Sequence, residues 1–369
     1  MNTAFSTYLD ATRFLVAIFV VVTHLVQLGF INNASAYYIP DLGRESVMIF
    51  FVLSGYVIAY SVKNKNLSAK TYTIARASRI YSVALPCLLL AFLSIYLLET
   101  LTENSPSQYQ VAKAYIYIPF HNLFLGELWT LTERPPWLTP YWSLSYEVWY
   151  YILFGVFYFS KGLARIVLTS LVLMIMGYKL WLLLPIWLSG VFLFRYQSKF
   201  TIKKLLARYL WLGTIIILCI YKLLDLDLYL RDLGNRIWPF ENFPLSSADR
   251  FISDYVVCIL VLLNFYTALY SQFTLITHYR SIIQKFAAYT FTLYLLHYLV
   301  MKIWSQVISH NPNSMIDISL LIVTIAISTY IVGFFTEKKR HHLTAFFEHI
   351  SHAIYRIVSK INISKTKAT

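Results

Sequence analysis

The sequence has little charge, few cysteines and no spacing typical of a metal site. Charged residues make up 13% of the 369 residues, whereas an ordinary soluble domain has about 25%. No water-soluble fold of this size could hide the 58% of residues that are hydrophobic. The three cysteines lie inside apolar runs, which excludes a disulfide framework, and we expect no metal.

The N-terminal segment lacks the features of a cleavable signal peptide. Its first ten residues include no basic residue, and no small-residue cleavage site follows the first apolar run. We also expect no internal repeat, no low-complexity tract and no soluble domain at either end. We therefore expect the first apolar run to remain as a membrane helix.

Long apolar runs recur along the whole chain. A helix needs about 20 residues to cross a hydrocarbon core of about 30 Å. The runs predict an all-α integral membrane protein with about ten transmembrane helices. The predicted spans lie near residues 8–30, 46–62, 82–98, 144–160, 165–178, 180–194, 205–224, 252–271, 287–305 and 315–335.

Lysine and arginine predict the orientation, because cytoplasmic loops are rich in both. The segments that hold most of the 31 basic residues are 63–79, 161–165, 195–208, 280–285 and the stretch after residue 336. Both termini are therefore predicted to be cytoplasmic. This requires residues 99–143 to stay outside, and the polar residues within Tyr115–Leu131 favour a re-entrant or interfacial segment there.

The net charge of +14 lies mainly on the face predicted to be cytoplasmic. Anionic membrane lipids, rather than nucleic acid, are the expected partner of that face. Apolar residues at helical spacing from Leu343 to Ile361 predict an amphipathic helix on the inner membrane surface, and a solvated tail is the alternative. We divide the chain into a transmembrane domain at 1–340 and a basic amphipathic cytoplasmic tail at 341–369.

Four ionisable side chains lie in predicted spans, where such groups are expensive and often functional. They are Arg13, His24, Glu147 and His297. Arg13 and His24 share one helix face and are roughly 16 Å apart along the axis. Each group also has an ordinary interpretation, such as snorkelling of Arg13 to lipid phosphate or packing of the histidines. Taken together, the four favour a polar cavity.

Five short motifs follow one another along the chain. They are Asp10-Ala-Thr-Arg13 with His24, Phe50-Phe51-Val52-Leu53-Ser54-Gly55, Arg76-Ala77-Ser78-Arg79-Ile80-Tyr81, Trp142-Ser143-Leu144-Ser145-Tyr146-Glu147 and Tyr294-Leu295-Leu296-His297. In these motifs the chain resembles the acyltransferase 3 family, membrane-embedded enzymes that move acyl groups onto extracytoplasmic sugars. The resemblance covers roughly residues 8–340. Ser46 stands where the family usually has a glycine, and Lys338 follows Glu337 in place of the usual Arg-Pro.

The resemblance implies a cytoplasmic acyl-CoA donor, expected to be acetyl-CoA, and a sugar hydroxyl as acceptor. Arg76 and Arg79 lie one helical turn apart and suit phosphate groups. Arg13 is expected to join them in donor binding. Ordinary positive-inside charge is the alternative for Arg76 and Arg79.

Acyl transfer to a hydroxyl needs a positioned base. His24 is the predicted catalytic base, and Glu147 is predicted to orient its imidazole. Ser54 and Ser143 are candidate acyl acceptors if the reaction uses a covalent enzyme intermediate. The alternative is that each serine bonds back to its own helix.

Three further motif residues, Trp142, Tyr294 and His297, are predicted to contact substrate or line an acyl tunnel. The predicted function is O-acylation of a cell-envelope glycan, such as a polysaccharide or lipopolysaccharide, or of a lipid-linked sugar in a bacterial cytoplasmic membrane. A transporter or flippase is the alternative, since intramembrane charges also mark translocation paths, although two related halves are missing. A non-enzymatic membrane scaffold is the third possible function.

Overall fold

The computed structural model describes residues 2–102 and 111–366, and in these residues it contains helices and no β-strand. The α-helices are α1 Thr3–Gln27, α2 Asn33–Ala36, α3 Gly43–Asn64, α4 Ala69–Thr102, α5 Ala114–Asn122, α6 Tyr141–Phe159, α7 Gly162–Met176, α8 Tyr178–Tyr196, α9 Lys204–Leu223, α10 Leu226–Ile237, α11 Phe251–Ser271, α12 Thr274–His278, α13 Arg280–Ala287, α14 Thr290–Val307, α15 Met315–Phe335 and α16 Arg340–Thr366. Residues 103–110 of the predicted outer loop and 367–369 of the predicted tail lie outside the described residues.

Each predicted span falls on one of these helices. Among the described residues, seven helical stretches are long and apolar enough to cross a membrane, and α13 with α14, bent by 47° at their junction, would make an eighth. α6 has 19 residues but insufficient hydropathy, because aromatic hydroxyls, serines and Glu147 occupy its first half. α7 has only 15 residues. The chain thus contains the helices of a multi-pass membrane protein, whereas ten spans and cytoplasmic termini stay predictions.

The two segments predicted to be membrane-associated without spanning are short or peripheral. α5 has nine residues and rises about 14 Å, too little to cross the hydrocarbon core. α16 packs along α4, where the rings of Phe347 and Tyr81 lie 6.3 Å apart. Phe346 and Ile350 remain exposed on α16. The predicted helix is therefore present, and its contact with lipid stays a prediction.

Helix α3 contacts α1, α6, α8 and α11 and forms the centre of the bundle. Glycines permit its close approach to α8. A Cβ atom on Gly55 would lie 2.0 Å from the Trp187 carbonyl oxygen, and one on Gly190 would lie 1.9 Å from the Val52 carbonyl oxygen. Small residues allow helix backbones to approach this closely. The contact places Ser54 of α3 within 3.1 Å of the Trp187 indole nitrogen.

Replacing Gly190 by alanine should destabilise the bundle, because the new methyl group would overlap the α3 backbone. Overpacking of this kind costs about 1 to 3 kcal/mol. Gly213→Ala is the matched control, since a Cβ atom there meets nothing within 4 Å and alanine favours a helix over glycine. Thermal unfolding in detergent should show a lower midpoint for G190A than for G213A. Equal midpoints would contradict the close contact.

The predicted orientation can be tested by reporter fusions. Fusions after Lys65, Lys203 and Lys365 should report cytoplasm, and one after Asp232 should report the opposite side. A fusion after Lys161, in the turn between α6 and α7, separates ten spans from eight. It should report cytoplasm if α6 and α7 both cross and the outside if neither does. A cytoplasmic signal at Asp232 would contradict both arrangements.

Candidate active site

A narrow cavity of about 70 Å³ opens among α1, α3, α4, α6 and α14, at the end of the bundle where α1 begins. We call it the inner cavity. Its polar lining residues are Arg13, Ser54, Arg76, Arg79, Ser143, Glu147, Tyr151, Thr290 and Tyr294. Arg13 lies 3.7 Å from the Asp10 carboxylate. The buried Nε atom of Arg76 has no hydrogen-bond partner among the described residues, so this cationic cavity is suited to an anion.

The carboxylate of Glu147 is held within the inner cavity by hydroxyl groups. It accepts a hydrogen bond of 2.6 Å from the Ser54 Oγ and another from the Tyr151 hydroxyl. The Trp187 indole nitrogen donates to Ser54. The Arg76 guanidinium lies 5.9 Å from the centre of the Tyr151 ring. Residues of α3, α6 and α8 therefore fix this carboxylate, with a cation nearby.

A larger cavity of about 310 Å³ lies beyond the inner one, toward the start of α3, and we call it the outer cavity. The outer cavity is lined by His24, Asp41, Arg44, Arg134, Thr139, Trp142, Asp249 and Arg250, among others. Asp41 accepts hydrogen bonds from the Thr23 hydroxyl at 3.1 Å and the Gly43 backbone nitrogen at 3.2 Å. Arg44 lies 4.8 Å from the centre of the Trp142 ring. This cavity thus offers charged groups and an aromatic face.

Two side chains, Val47 and Tyr294, line both cavities. Both are buried, with exposed fractions of 5% and 7%. The Tyr294 hydroxyl lies 2.6 Å from the Ser143 Oγ, which in turn donates to the Pro140 carbonyl oxygen at 3.1 Å. We call Val47 and Tyr294 the septum, because the two cavities meet there.

The imidazole of His24 is bonded to that of His297 and not to Glu147. The His24 Nδ1 and the His297 Nε2 lie 2.8 Å apart. The predicted pairing of Glu147 with His24 was inferred from depth alone, and the contacts do not support it. Glu147 lines the inner cavity, whereas His24 lines the outer one.

The structure brings most of the predicted site residues to the two cavities. The inner cavity receives Arg13, Arg76, Arg79, Ser54, Ser143 and Glu147, the outer cavity receives His24 and Trp142, and Tyr294 lies between them. His297 is fully buried behind His24, and neither cavity, as lined by the described residues, includes it. The hydrogen bond from Ser143 to the Pro140 carbonyl oxygen agrees with the alternative that this serine bonds to the backbone of its own helix. The roles of all these residues in binding and catalysis remain predictions.

Sequence analysis missed Asp41, Val47, Tyr151 and Trp187. Tyr151 could have been found, because it lies four residues after Glu147 on α6 and therefore on the same helix face. Asp41 lies in a short loop just before α3, a common place for binding residues. Val47 and Trp187 look like ordinary core residues in the sequence. Their positions depend on packing between distant helices.

The helices and the adjoining cavities define the class of the protein. It is a helical membrane protein with a polar site on each side of a buried septum. The chain belongs to the acyltransferase 3 family, because the family model, described as an acyltransferase domain, matches residues 6–333. It is also 30% identical over 156 residues to acyltransferase MdmB from Streptomyces mycarofaciens. That match covers 41% of this chain and 38% of the relative's length. No solved structure matches the chain.

Proposed function

We propose that this chain is a membrane O-acyltransferase. It would take an acyl group, expected to be acetyl, from cytoplasmic acyl-CoA and transfer it to a hydroxyl of an extracytoplasmic or lipid-linked glycan. The observation that carries the proposal is the meeting of the two cavities at Val47 and Tyr294. A cationic site on one side of the septum and an imidazole on the other suit a donor and an acceptor that arrive from opposite sides.

The inner cavity is the proposed donor site. Three of its lining residues, Arg13, Arg76 and Arg79, are cations, and guanidinium groups bind phosphates through paired hydrogen bonds. In this proposal the adenine and phosphates of CoA stay at the mouth of the cavity, while the thin pantetheine arm enters. Glu147 would keep Ser54 and Tyr151 in place beside the thioester.

The outer cavity is the proposed acceptor site. It is several times larger than the inner cavity and has both polar side chains and the Trp142 ring. Asp41 and Thr139 offer hydrogen-bonding atoms of the kind that sugar hydroxyls use. An aromatic face complements the apolar C–H face of a sugar ring. This combination supports a glycan as acceptor.

In the proposed reaction His24 acts as the general base. Its imidazole removes the proton from the acceptor hydroxyl while the oxygen attacks the carbonyl carbon of the thioester. The tetrahedral intermediate then expels CoA as a thiolate, and the imidazolium returns its proton to that sulfur. The products are the acyl ester of the glycan and free CoA.

The proposed setting is the cytoplasmic membrane of a bacterium. The match to a Streptomyces acyltransferase supports this setting, and the apolar helices support a multi-pass protein. Basic residues at the predicted cytoplasmic face would contact anionic lipid headgroups.

Loss of the inner-cavity arginines should weaken binding of the donor. Each charge-assisted contact to a phosphate contributes about 1.5 to 3 kcal/mol, or roughly ten- to a hundred-fold in affinity. Arg79→Ala should therefore raise the Kd for acetyl-CoA, and the R76A/R79A double variant should raise it further. Lys70→Ala is the matched control, because Lys70 is an exposed cation on the same helix. Titration of purified protein with acetyl-CoA measures the effect, and unchanged affinity in the double variant would leave both arginines as ordinary cytoplasmic charge.

Loss of the His24 imidazole should abolish acylation without preventing donor binding. The purified parent protein should release CoA from acetyl-CoA when acceptor glycan is added. His24→Ala should lower that rate by on the order of 10² to 10⁴. His24→Gln should be equally inactive, because its amide forms hydrogen bonds but is not basic.

The matched control for these variants is His349→Gln, an exposed histidine on α16, which should retain the parent rate. Expression and acetyl-CoA affinity of the His24 variants should also match the parent. A glutamine variant with near-parent activity would show that His24 is not the base. Absence of glycan-dependent CoA release in the parent would favour the transporter alternative.

A further inference from the structure

The two histidines lie edge to edge in the bundle. Their ring centroids are 5.1 Å apart, and their planes differ by 24°. With the His24 Nδ1 only 2.8 Å from the His297 Nε2, these values describe two rings almost in one plane and joined by a direct hydrogen bond. Tyr298 packs its ring at 85° against His24, with the centroids 5.0 Å apart. The His24 ring is therefore fixed in orientation.

The second nitrogen of His297 determines which ring donates this bond. The His297 Nδ1 lies 2.8 Å from the backbone carbonyl oxygen of Leu293. A carbonyl oxygen can only accept, so the His297 Nδ1 must bear a proton. His297 is fully buried among apolar helices, where a charged imidazole is expensive. With one proton, at Nδ1, the neutral ring presents an unprotonated Nε2 to His24.

We propose that His297 is a positioning residue that holds His24 in the tautomer protonated at Nδ1. His24 must donate from Nδ1 to the bare His297 Nε2, which leaves the His24 Nε2 as the unprotonated nitrogen. His24 lines the outer cavity, and this nitrogen is on the ring edge away from His297. The arrangement resembles the role of the third member of a catalytic triad, which fixes the tautomer of the histidine. Here a neutral imidazole has that role.

The consequence for catalysis rests on the proposed function. The acceptor O–H bond breaks, and the proton joins the His24 Nε2 while the oxygen bonds to the acyl carbon. His24 is then charged, and its Nδ1–H bond to the neutral His297 becomes charge-assisted and stronger. His297 keeps its own proton on Nδ1, bonded to Leu293. The C–S bond then breaks, and the His24 Nε2 proton passes to the CoA sulfur.

Nitrogen-15 NMR of the full-length protein, labelled at histidine, tests the tautomer directly. The His24 signals can be assigned as those absent from His24→Gln. We expect a protonated Nδ1 and an unprotonated Nε2 for His24 in the parent. His297→Leu removes the acceptor and should abolish this preference. His297→Gln should preserve it, because the glutamine Oε1 can reach the position of the lost Nε2 and accept from His24.

Kinetics of the same variants test the positioning role. His297→Leu should lower kcat by on the order of 10² to 10⁴, the contribution of a correctly positioned base. His297→Gln should retain much more of the parent rate than His297→Leu. The KM for acetyl-CoA should change little in either, since His297 lies outside the donor cavity. A His24 protonated at Nε2 in the parent would overturn the proposal, as would a leucine variant with unchanged tautomer and kcat.

The two proposals fail in different ways. If the parent shows the expected tautomer but no acyl transfer, the assignment of His297 stands and the proposed function is wrong. If the parent transfers acyl groups but His24 has the other tautomer, the proposed function stands and the assignment of His297 is wrong. The amounts of His297→Leu and His297→Gln in the membrane should be measured alongside the kinetics and should be equal. A folding defect can then be distinguished from a loss of positioning.

Discussion

A polar side chain in the hydrocarbon region of a membrane has no water to bond, and it must find its partner inside the protein. Several of the buried polar groups here do so across helices. Glu147 is bonded to Ser54 of a neighbouring helix, and the Asn264 amide of α11 donates a hydrogen bond of 2.8 Å to the Thr214 hydroxyl of α9. Each such bond satisfies a group and also fixes the relative position of two segments. A buried donor without a partner in the described part of the chain, such as the Arg76 Nε, therefore stands out as a candidate for ligand contact.

Helix α3 connects these constraints to both cavities. Gly55 sets its distance from α8, Ser54 bonds to the carboxylate of the inner cavity, and Val47 contributes to the septum. Val47 and Ser54 are seven residues apart, about two turns, and so share one face of the helix. Arg44, one turn before Val47, lines the outer cavity. A shift of this one helix would therefore alter both cavities together, which makes its close contact with α8 a condition for the whole site.

The fold was largely predictable because a membrane requires long apolar helices, and every predicted span falls on a helix. Seven helical stretches among the described residues, or eight with the bent pair of α13 and α14, are long and apolar enough to cross, whereas α6 and α7 are not. The separation of Arg13 in the inner cavity from His24 in the outer cavity was also predictable, since three turns of α1 lie between them. The partner of His24 was not, because depth in a membrane is a single coordinate and several groups share it. His24 and His297 are 273 residues apart in the chain, and only the packing of α1 against α14 brings them together. The hydropathy of α6 is low because several of its positions carry polar or aromatic cavity-lining residues, such as Ser143 and Glu147, where an ordinary membrane helix has aliphatic ones.

The septum would address a difficulty specific to the proposed transfer between opposite sides of a membrane. In the proposed reaction a thioester must reach a hydroxyl without being exposed to water, because water is a competing acceptor. In that reaction the side chains of Val47 and Tyr294, one aliphatic and one aromatic, would exclude water from the space between the cavities. The Tyr294 hydroxyl is bonded to Ser143, so the ring is held in place by the first turn of α6. Opening the septum requires displacement of side chains and not of whole helices. The proposed donor and acceptor sites would then stay preorganised while the acyl group passes.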